Sequence, residues 1–308
     1  MKELIVKDNA LINASYNLDL VEQRLILLAI VEARESGKGI NANDPLAVHA
    51  ESYINHFAVH RNTAYQALKD ACKDLFARQF SYQEQRGKGV ANITSRWVSQ
   101  IAYVDHSATV ELIFSPAIIP LITRLEKQFT SYELQQVSAL SSAYAIRLYE
   151  LLIGWRSIGK TPVIELDIFR QKLGVLETEY KRMYDFKKYV LEPSLKQINQ
   201  HTDISVTVEQ HKKGRLISGF SFTFKQKKPE KPAKTKQVKE SKQQEKHTLT
   251  WGTSENHLFK ELSKKCTGLT KQYVEQLAHK QLKDLSFILN DMFMKHAKSD
   301  TFELELSD

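Results

Sequence analysis

Basic side chains gather around one predicted helix in the second half of the chain. Asp185 is a good N-cap, and apolar residues recur from there to Asn199 at near-helical spacing, which predicts a helix. Lysines in a first turn meet the positive end of the helix dipole, and a bound anion would relieve that repulsion. The candidate anion-binding residues at this end are Lys181, Arg182, Lys187 and Lys188.

A predicted hairpin follows this helix directly. Apolar and polar residues alternate over 204–208 and again over 220–224, as they do in half-buried strands. The turn between the strands is too charged to be buried, and its basic residues are Lys212, Lys213 and Arg215. A helix followed by a two-stranded basic wing is typical of winged-helix DNA-binding domains. DNA phosphate is therefore favoured as the anion, while a solvated lysine face is the competing interpretation.

The first half of the chain repeats this order of elements. Helices predicted over 51–57 and from Asn62 to about Phe80 have helix-turn-helix spacing. Strands predicted over 80–85 and 93–104 enclose a basic turn that contains Gly87. The candidate DNA-binding residues of this half are Arg61, Asn62, Tyr65, Lys69, Arg86, Lys88 and Arg96.

The other helix predictions rest on caps and apolar spacing. They run from Asp19 to Gly37, from Ser115 to about Leu125, over 141–155, and from Asp167 to Gly174. Residues 130–140 fit either a strand or a helix. Pro193 lies inside the helix predicted from Asp185, and it should kink or divide that helix because it removes a backbone hydrogen bond.

Length and charge define the domain organisation. The chain has 308 residues, 42% hydrophobic content and a net charge of +8, with pI near 9.2. Nine lysines against three glutamates give Lys225–His247 a net charge of +6, so this nearly apolar-free segment is predicted to be a disordered linker. We predict an α+β protein with two tandem winged-helix domains, at 1–126 (dimerisation and DNA binding) and 127–225 (main sequence-specific DNA binding). A lysine-rich linker at 226–250 and a helical segment of unassigned role at 251–308 follow.

Composition also excludes several classes of protein. Cys72 and Cys266 lie far apart without CxxC spacing, which argues against a disulfide framework or a zinc site. The N-terminus lacks a signal-peptide pattern, and the longest apolar run, from Leu25 to Val31, is too short to span a bilayer. These features predict a soluble protein of the cytoplasm with no membrane partner.

Catalytic and cofactor motifs are weak. Residues 154–161 fit the P-loop pattern GxxxxGK[ST], but a predicted helix precedes them and a strand follows, which reverses the order that phosphate binding needs. The ten histidines are scattered, without the paired histidines beside a tyrosine of a rolling-circle nickase. We therefore predict no enzyme activity, catalytic residue, metal or cofactor; a P-loop ATPase or a nickase is the less favoured alternative.

Three stretches resemble a known family. They are 9–30, 129–152 with the distinctive YAIRLYELL, and 184–199 with the wing KKGR at 212–215. Together they resemble the plasmid replication initiators that bind iterons, the initiator Rep superfamily with two winged-helix domains. The resemblance covers roughly 9–225 and leaves the linker and 251–308 outside.

The resemblance implies a function and partners. Such a protein would bind direct repeats (iterons) of double-stranded origin DNA, open an adjacent AT-rich segment, and recruit host replication proteins such as a helicase or initiator. It would act as a monomer on the repeats and as a dimer when repressing its own promoter. A transcriptional regulator with tandem winged helices and no initiator activity is the main alternative.

Overall fold

The chain folds as two compact units, residues 1–231 and 232–308. The computed structural model describes residues 3–41, 43–123, 128–227, 253–266 and 269–275, together with Ile288, Leu289 and Met292. The first unit mixes helices with antiparallel sheets, so the predicted α+β class is confirmed.

The bounds of the elements follow in chain order. The first part contains β1 (Leu4–Asp8), α1 (Asn9–Ile12), β2 (Ser15–Tyr16), α2 (Leu20–Ser36), β3 (Leu46–His49), α3 (Ala50–Phe57), α4 (Arg61–Ala77), β4 (Gln79–Arg86), β5 (Gly89–Arg96), β6 (Val98–Val104), β7 (Thr109–Phe114) and α5 (Ile119–Thr123). The second part contains β8 (Phe129–Glu133), α6 (Gln135–Ser138), α7 (Ala143–Ile153), β9 (Ile164–Glu165), α8 (Leu166–Leu173), α9 (Met183–Phe186), α10 (Glu192–His201), β10 (Ile204–Lys213), β11 (Leu216–Gln226) and α11 (Thr253–Lys265).

The strands of the described residues form small antiparallel sheets. Their orders are β2-β4-β5, β3-β7-β6, β1-β8 and β10-β11-β9. The pairing of β1 with β8 joins the start of the chain to residues that follow the first predicted domain. The boundary between 126 and 127 stays a prediction.

Helix α2 confirms its predicted ends. Asp19 accepts a hydrogen bond from the backbone N–H of Glu22, and the Glu22 side chain accepts one from the N–H of Asp19, which forms a capping box. Gly37 ends the helix in the left-handed conformation, at φ 71°. Between these ends the helix is buried on nearly every side, and it forms the centre of the first domain.

The predicted helix-turn-helix and wing of the first domain are also present. Helices α3 and α4 are joined through Ala58, whose φ of 49° turns the chain sharply. The start of α4 is at Arg61, with His60 in the cap position. Strands β4 and β5 then pair from Gln79 to Arg96 around the turn Gly87–Lys88, and we call this hairpin the first wing.

The strand predicted over 93–104 is wrong as a single strand. The chain forms β5 up to Arg96 and β6 from Val98, and the two strands belong to different sheets. Trp97 lies between them, fully buried, with its ring 4.8 Å from that of Tyr16 and 5.0 Å from that of Phe80. Burying this indole turns the chain from one sheet into the next.

Two further helix predictions need correction, and one ambiguity is resolved. The helix predicted from Ser115 begins only at Ile119, because Ser115 and Ile118 close a turn first. The helix predicted to be capped by Asp167 begins at Leu166, with Glu165 in the cap position, and ends at Gly174 as predicted. Residues 130–140 are strand in β8 and then helix in α6.

The helix predicted from Asp185 begins two residues earlier, at Met183. The N–H of Phe186 already donates to the carbonyl of Arg182, so Asp185 lies inside the first turn and does not cap it. The helical path continues through a π turn at Lys187–Leu191 into α10, and Pro193 follows that turn directly. Pro193 therefore interrupts the regular helix, as predicted. We call residues 183–201 the second-domain helix.

The core beneath this helix is aromatic. Phe186 packs beside Phe169 and Phe220, with ring centres 6.0 and 6.3 Å away. Phe222 and Phe224 are buried on the same strand as Phe220, which confirms their predicted place in the core. The bottom of the β10–β11 hairpin is thereby fixed against the second-domain helix.

The linker predicted at 226–250 lies, from 228 onward, outside the described residues. In the second compact unit, α11 and residues 271–275 are helical, which agrees with the helical segment predicted at 251–308. Leu262, Cys266 and Val274 are buried together in this unit.

A buried ionic cluster joins β1, β2, β8 and α7. The carboxylate of Glu150 accepts hydrogen bonds from Lys7 at 2.6 Å, Tyr132 at 2.6 Å, Arg147 at 2.6 Å and Tyr16 at 3.3 Å. All of these side chains are at least 95% buried. We call this set the Glu150 cluster.

Arg147 extends the cluster into the second domain. Its guanidinium donates to the carbonyl oxygens of Ile12 and Ala14 at 3.1 Å, and to that of Lys172 at 3.0 Å. The same group lies 4.1 Å from the centre of the Tyr16 ring. The buried charges are thus paired and hydrogen-bonded, which is the condition under which a protein interior tolerates them.

The Glu150 cluster predicts a pH-dependent stability. Burial alone would raise the pKa of Glu150, but Lys7 and Arg147 outweigh burial and lower the pKa to about 2. In an unfolded chain the pKa of this carboxyl is about 4.3. The stability that Glu150 contributes is therefore complete above that value and is lost as the pH falls toward its folded pKa.

We expect Glu150→Gln to lower the free energy of unfolding by about 3–5 kcal/mol at neutral pH, because it leaves the charges of Lys7 and Arg147 buried without a counter-charge. When the pH is lowered, the free energy of unfolding of the variant should also decrease less than that of the wild type. Urea denaturation across the acidic range measures both effects. Glu111→Gln, at an exposed position, is the control. Equal losses in the two variants would contradict this account.

Candidate nucleic-acid interface

The second-domain helix lies against the β10–β11 hairpin, which we call the second wing. The ammonium group of Lys187 hydrogen-bonds to the side-chain oxygen of Gln210 on β10. Lys181, just before the helix, and Arg215, in the wing turn, line the same cleft of about 520 Å³. The structure therefore brings the basic residues before and within the helix beside the basic residues of the wing.

The second wing projects its basic turn into solvent. Lys213 pairs with Leu216 across the turn Gly214–Arg215, and Gly214 has φ 66°, a conformation that favours glycine. Lys212, Lys213 and Arg215 are exposed, and Leu216 is 77% exposed. Such a turn presents cations to an anionic ligand.

The base of this wing packs closely against the neighbouring strand β9. A register shift between His211 and Lys212 marks a bulge, which bends the hairpin. A Cβ on Gly219 would lie only 2.3 Å from the carbonyl oxygen of Ile164 on β9, so only glycine fits there without a shift of the backbone. These two features fix the bend of the wing and its close pairing with β9.

The outer face of the second-domain helix carries Lys188 between two aromatic rings. Its ammonium nitrogen lies 5.6 Å from the ring centre of Tyr184 and 5.1 Å from that of Tyr189. Hydrogen bonding to Tyr189 is the main cause that raises the pKa of Lys188, so this lysine stays charged at neutral pH. Arg182, at the cap position, is also exposed.

Sequence reasoning missed the two tyrosines. The apolar spacing placed Tyr189 on the buried face, yet it is 53% exposed, and Tyr184 is 68% exposed. Val190, which belongs to the same apolar repeat, is buried as predicted, and Leu191 is buried beside it. The π turn inserts one residue into the helical repeat, which shifts every later residue around the axis. The position of Pro193 was the feature of the sequence that could have indicated this π turn.

The first domain offers a smaller basic surface. Arg61 and Asn62 are exposed in the first turn of α4, where Arg61 lies 3.4 Å from Glu51. Lys88 is exposed in the turn of the first wing, and Arg86 beside it pairs with Glu84 at 2.8 Å. Arg61, Asn62, Arg86 and Lys88 thus occupy the exposed end of a helix and the tip of a wing, as predicted for DNA-binding residues.

The other first-domain candidates are engaged within the protein. Lys69 forms an ion pair with Asp105 in the turn before β7, and this bond is the main cause that raises the pKa of Lys69. Arg96 donates to the carbonyl oxygen of Phe76 at 2.6 Å, at the far end of α4 from Arg61. Tyr65 is half-buried against the core. The structure does not gather these three side chains with the basic tip of the first wing.

One acidic group in the described residues has the spacing of a metal site. Oxygen atoms of Asp19, Glu22 and Asp74 lie within 4.8 Å of one another. Arg78, however, donates to both carboxylate oxygens of Glu22 at 2.8 and 2.9 Å, and Asp19 caps α2. These contacts give the group a structural role.

The P-loop pattern at 154–161 has the order predicted to disfavour phosphate binding. Helix α7 ends just before Gly154, and Lys160 forms a β-bridge with Thr223 of the second wing. The N–H of Thr161 donates to the carbonyl of Phe222. The segment closes the sheet of the second domain.

Comparison with known proteins identifies the architecture. Residues 4–153 match the family described as Initiator Replication protein, WH1, and residues 165–224 match Initiator Rep protein, WH2. The chain belongs to the initiator replication protein family. Two tandem winged-helix domains and DNA-binding replication initiation, as predicted from the sequence, are therefore established for this initiator.

Individual proteins are similar to this chain to different extents. A replication initiation protein of Escherichia coli is 27% identical over 228 residues, which are 72% of this chain and 70% of the relative. The crystal structure of the Pi initiator protein in complex with iteron DNA is 24% identical, covers 72% of this chain and 97% of its own, and gives a TM-score of 0.59. The crystal structure of the MSBI1.176 WH1 domain, from a replication protein, is 80% identical over 41% of this chain and 97% of its own, with a TM-score of 0.34.

Helices long and apolar enough to cross a membrane are absent from the described part of the initiator.

We compare Arg96, whose side chain bonds to a backbone carbonyl, with Arg215, which is exposed in the turn of the second wing. We expect Arg215→Ala to lower DNA affinity and to reduce the slope of log K against log salt by about 1, because one phosphate contact is lost. Arg96→Ala should lower the free energy of unfolding by roughly 1 kcal/mol through the lost bond to Phe76, with a smaller effect on affinity. Salt-titrated gel shifts and urea denaturation measure the two effects. A larger loss of affinity in Arg96→Ala than in Arg215→Ala would contradict this division.

Proposed function

We propose that the initiator binds the direct repeats of a plasmid origin through its second-domain helix and second wing. The observation that carries this proposal is the contact between Lys187 and Gln210, which holds the basic helix face and the basic wing in one surface. Winged helices place such a helix in the major groove, and the wing contacts the neighbouring phosphates or minor groove. The Pi initiator protein, which shares this fold, was crystallised in complex with iteron DNA.

The first domain adds a second, weaker contact in this proposal. Arg61 and Asn62 at the start of α4, with Lys88 in the first wing, would meet a neighbouring groove. Two helices in successive major grooves would lie about 10 bp apart and cover roughly 20 bp without dimerisation. We infer that the second domain supplies most of the sequence selectivity, because its basic residues are gathered whereas Lys69 and Arg96 are engaged internally.

The resemblance to the family suggests partners beyond DNA. We propose that DNA binding opens an adjacent AT-rich segment in the bacterial cytoplasm and that the initiator then recruits a host helicase or initiator protein. Self-association through the first domain would give a dimer that represses its own promoter. The initiator would act by binding, without catalysis or a cofactor of its own.

The roles of Lys188 and Lys213 differ in this proposal. Lys188 lies on the helix face that would enter the major groove, so Lys188→Ala should relax sequence preference. Lys213 lies in the exposed wing, so Lys213→Ala should weaken binding to all duplexes similarly and lower the salt slope by about 1. Gel shifts with a preferred and a random duplex measure both effects. Equal losses on the two duplexes for both variants would refute this division of roles.

A cell-based and a binding experiment test the function itself. A plasmid that carries the cognate origin should replicate only when the initiator is supplied, and the purified chain should prefer origin repeats to scrambled duplexes. Repeat binding without support of replication would indicate a transcriptional regulator. Turnover of ATP, or cleavage of supercoiled origin DNA, would show that the initiator is an enzyme.

A further inference from the structure

The π turn of the second-domain helix has a local cause. Pro193 has no N–H, so it cannot donate to the carbonyl of Tyr189 as a regular helix would require. The N–H of Glu192 instead donates to the carbonyl of Lys187, one residue further back than in an α-helix. The hydroxyl of Ser194 donates to the carbonyl of Val190 at 2.6 Å, which satisfies a carbonyl in this disturbed turn.

This turn gathers two aromatic side chains on one outward face. Residues five apart in a regular α-helix point about 140° away from each other, because each residue rotates the chain by about 100°. A π turn has more residues per turn, which reduces that angle. Tyr184 and Tyr189 consequently both lie beside the ammonium group of Lys188, which is 5.6 and 5.1 Å from their ring centres.

The exposed patch has a definite chemistry. The ammonium group of Lys188 lies over one face of each ring, so the outer ring edges remain available to a ligand. Lys188 on one face of each ring, and the Tyr180 ring centred 6.3 Å from that of Tyr189, reduce the room for a single-stranded base to stack. A ring edge suits a small apolar projection, and in the major groove that projection is the C5-methyl group of thymine.

We propose that Tyr184 and Tyr189 contact thymine methyl groups in the major groove of the repeat DNA. Lys188 holds the two rings apart and faces the same groove. This inference rests on the proposed function, since the patch is on the helix that would enter the groove beside the second wing. It adds a specificity-determining contact made by uncharged side chains on an otherwise basic surface.

The experiment begins with a preferred duplex, selected by the full-length initiator from a randomised pool. Each thymine is then replaced singly by deoxyuridine, which removes only the methyl group. We expect the wild-type initiator to lose about fourfold in affinity at the contacted positions, the value of burying one methyl group. Tyr184→Ala and Tyr189→Ala should each bind the thymine and deoxyuridine duplexes alike at the position that the deleted ring contacts.

Trp155→Ala is the matched control, because Trp155 is also partly exposed, at 36%, but follows α7. It should keep the full discrimination between thymine and deoxyuridine. Thermal melting checks that the three variants fold alike. The tyrosine variants should melt like the wild type because their rings lie at the surface.

Several outcomes would overturn the inference. One is discrimination that persists in both tyrosine variants, and another is wild-type binding that no single deoxyuridine weakens. A loss of single-strand binding in the tyrosine variants, with the duplex unaffected, would assign the patch to base stacking. If the wild type selects no duplex at all, both the proposed function and this inference fail. If it selects a duplex that no single deoxyuridine weakens, only this inference fails.

Discussion

The first compact unit depends on the hydrogen bonds and ion pairs of one buried carboxylate, that of Glu150. It accepts bonds from Lys7 near the start of the chain and from Arg147 on its own helix, and Arg147 continues to the carbonyl of Lys172 in the second domain. Charges buried this deeply cost several kcal/mol each unless they are paired. The paired charges therefore depend on one another, and they hold α7 against β1, β2 and β8.

The proposed DNA-binding surface depends on a different constraint, the direction of the second-domain helix. Pro193 ends the regular hydrogen bonding, and the π turn carries Tyr189 outward while Phe186 stays buried against Phe169 and Phe220. Gly219 lets β11 approach β9, and the bond from Lys187 to Gln210 holds the second wing beside this helix. Backbone features thus set where the basic side chains point.

Local signals made much of the fold predictable. The capping box at Asp19, the left-handed end at Gly37 and the glycine turns of both wings depend on neighbours in sequence, and all of them are present. Trp97 could not be predicted as a break between sheets, because its partners Tyr16 and Phe80 are distant in sequence. These contacts form only when the tertiary structure does.

The candidate site was predictable to a similar extent. The basic residues of the second wing, and those just before the second-domain helix, are exposed as the sequence indicated. A charged turn between two strands lies at the surface because burial of its charges would be unfavourable. Arg96 looked equally available, but it meets a carbonyl at the end of α4. Arg147 and Glu150 resemble an ordinary exposed pair three residues apart. Their joint burial has a consequence for the history of this chain: loss of Lys7, Arg147 or Glu150 alone would leave a buried charge unpaired, so the three positions are expected to change in concert among relatives.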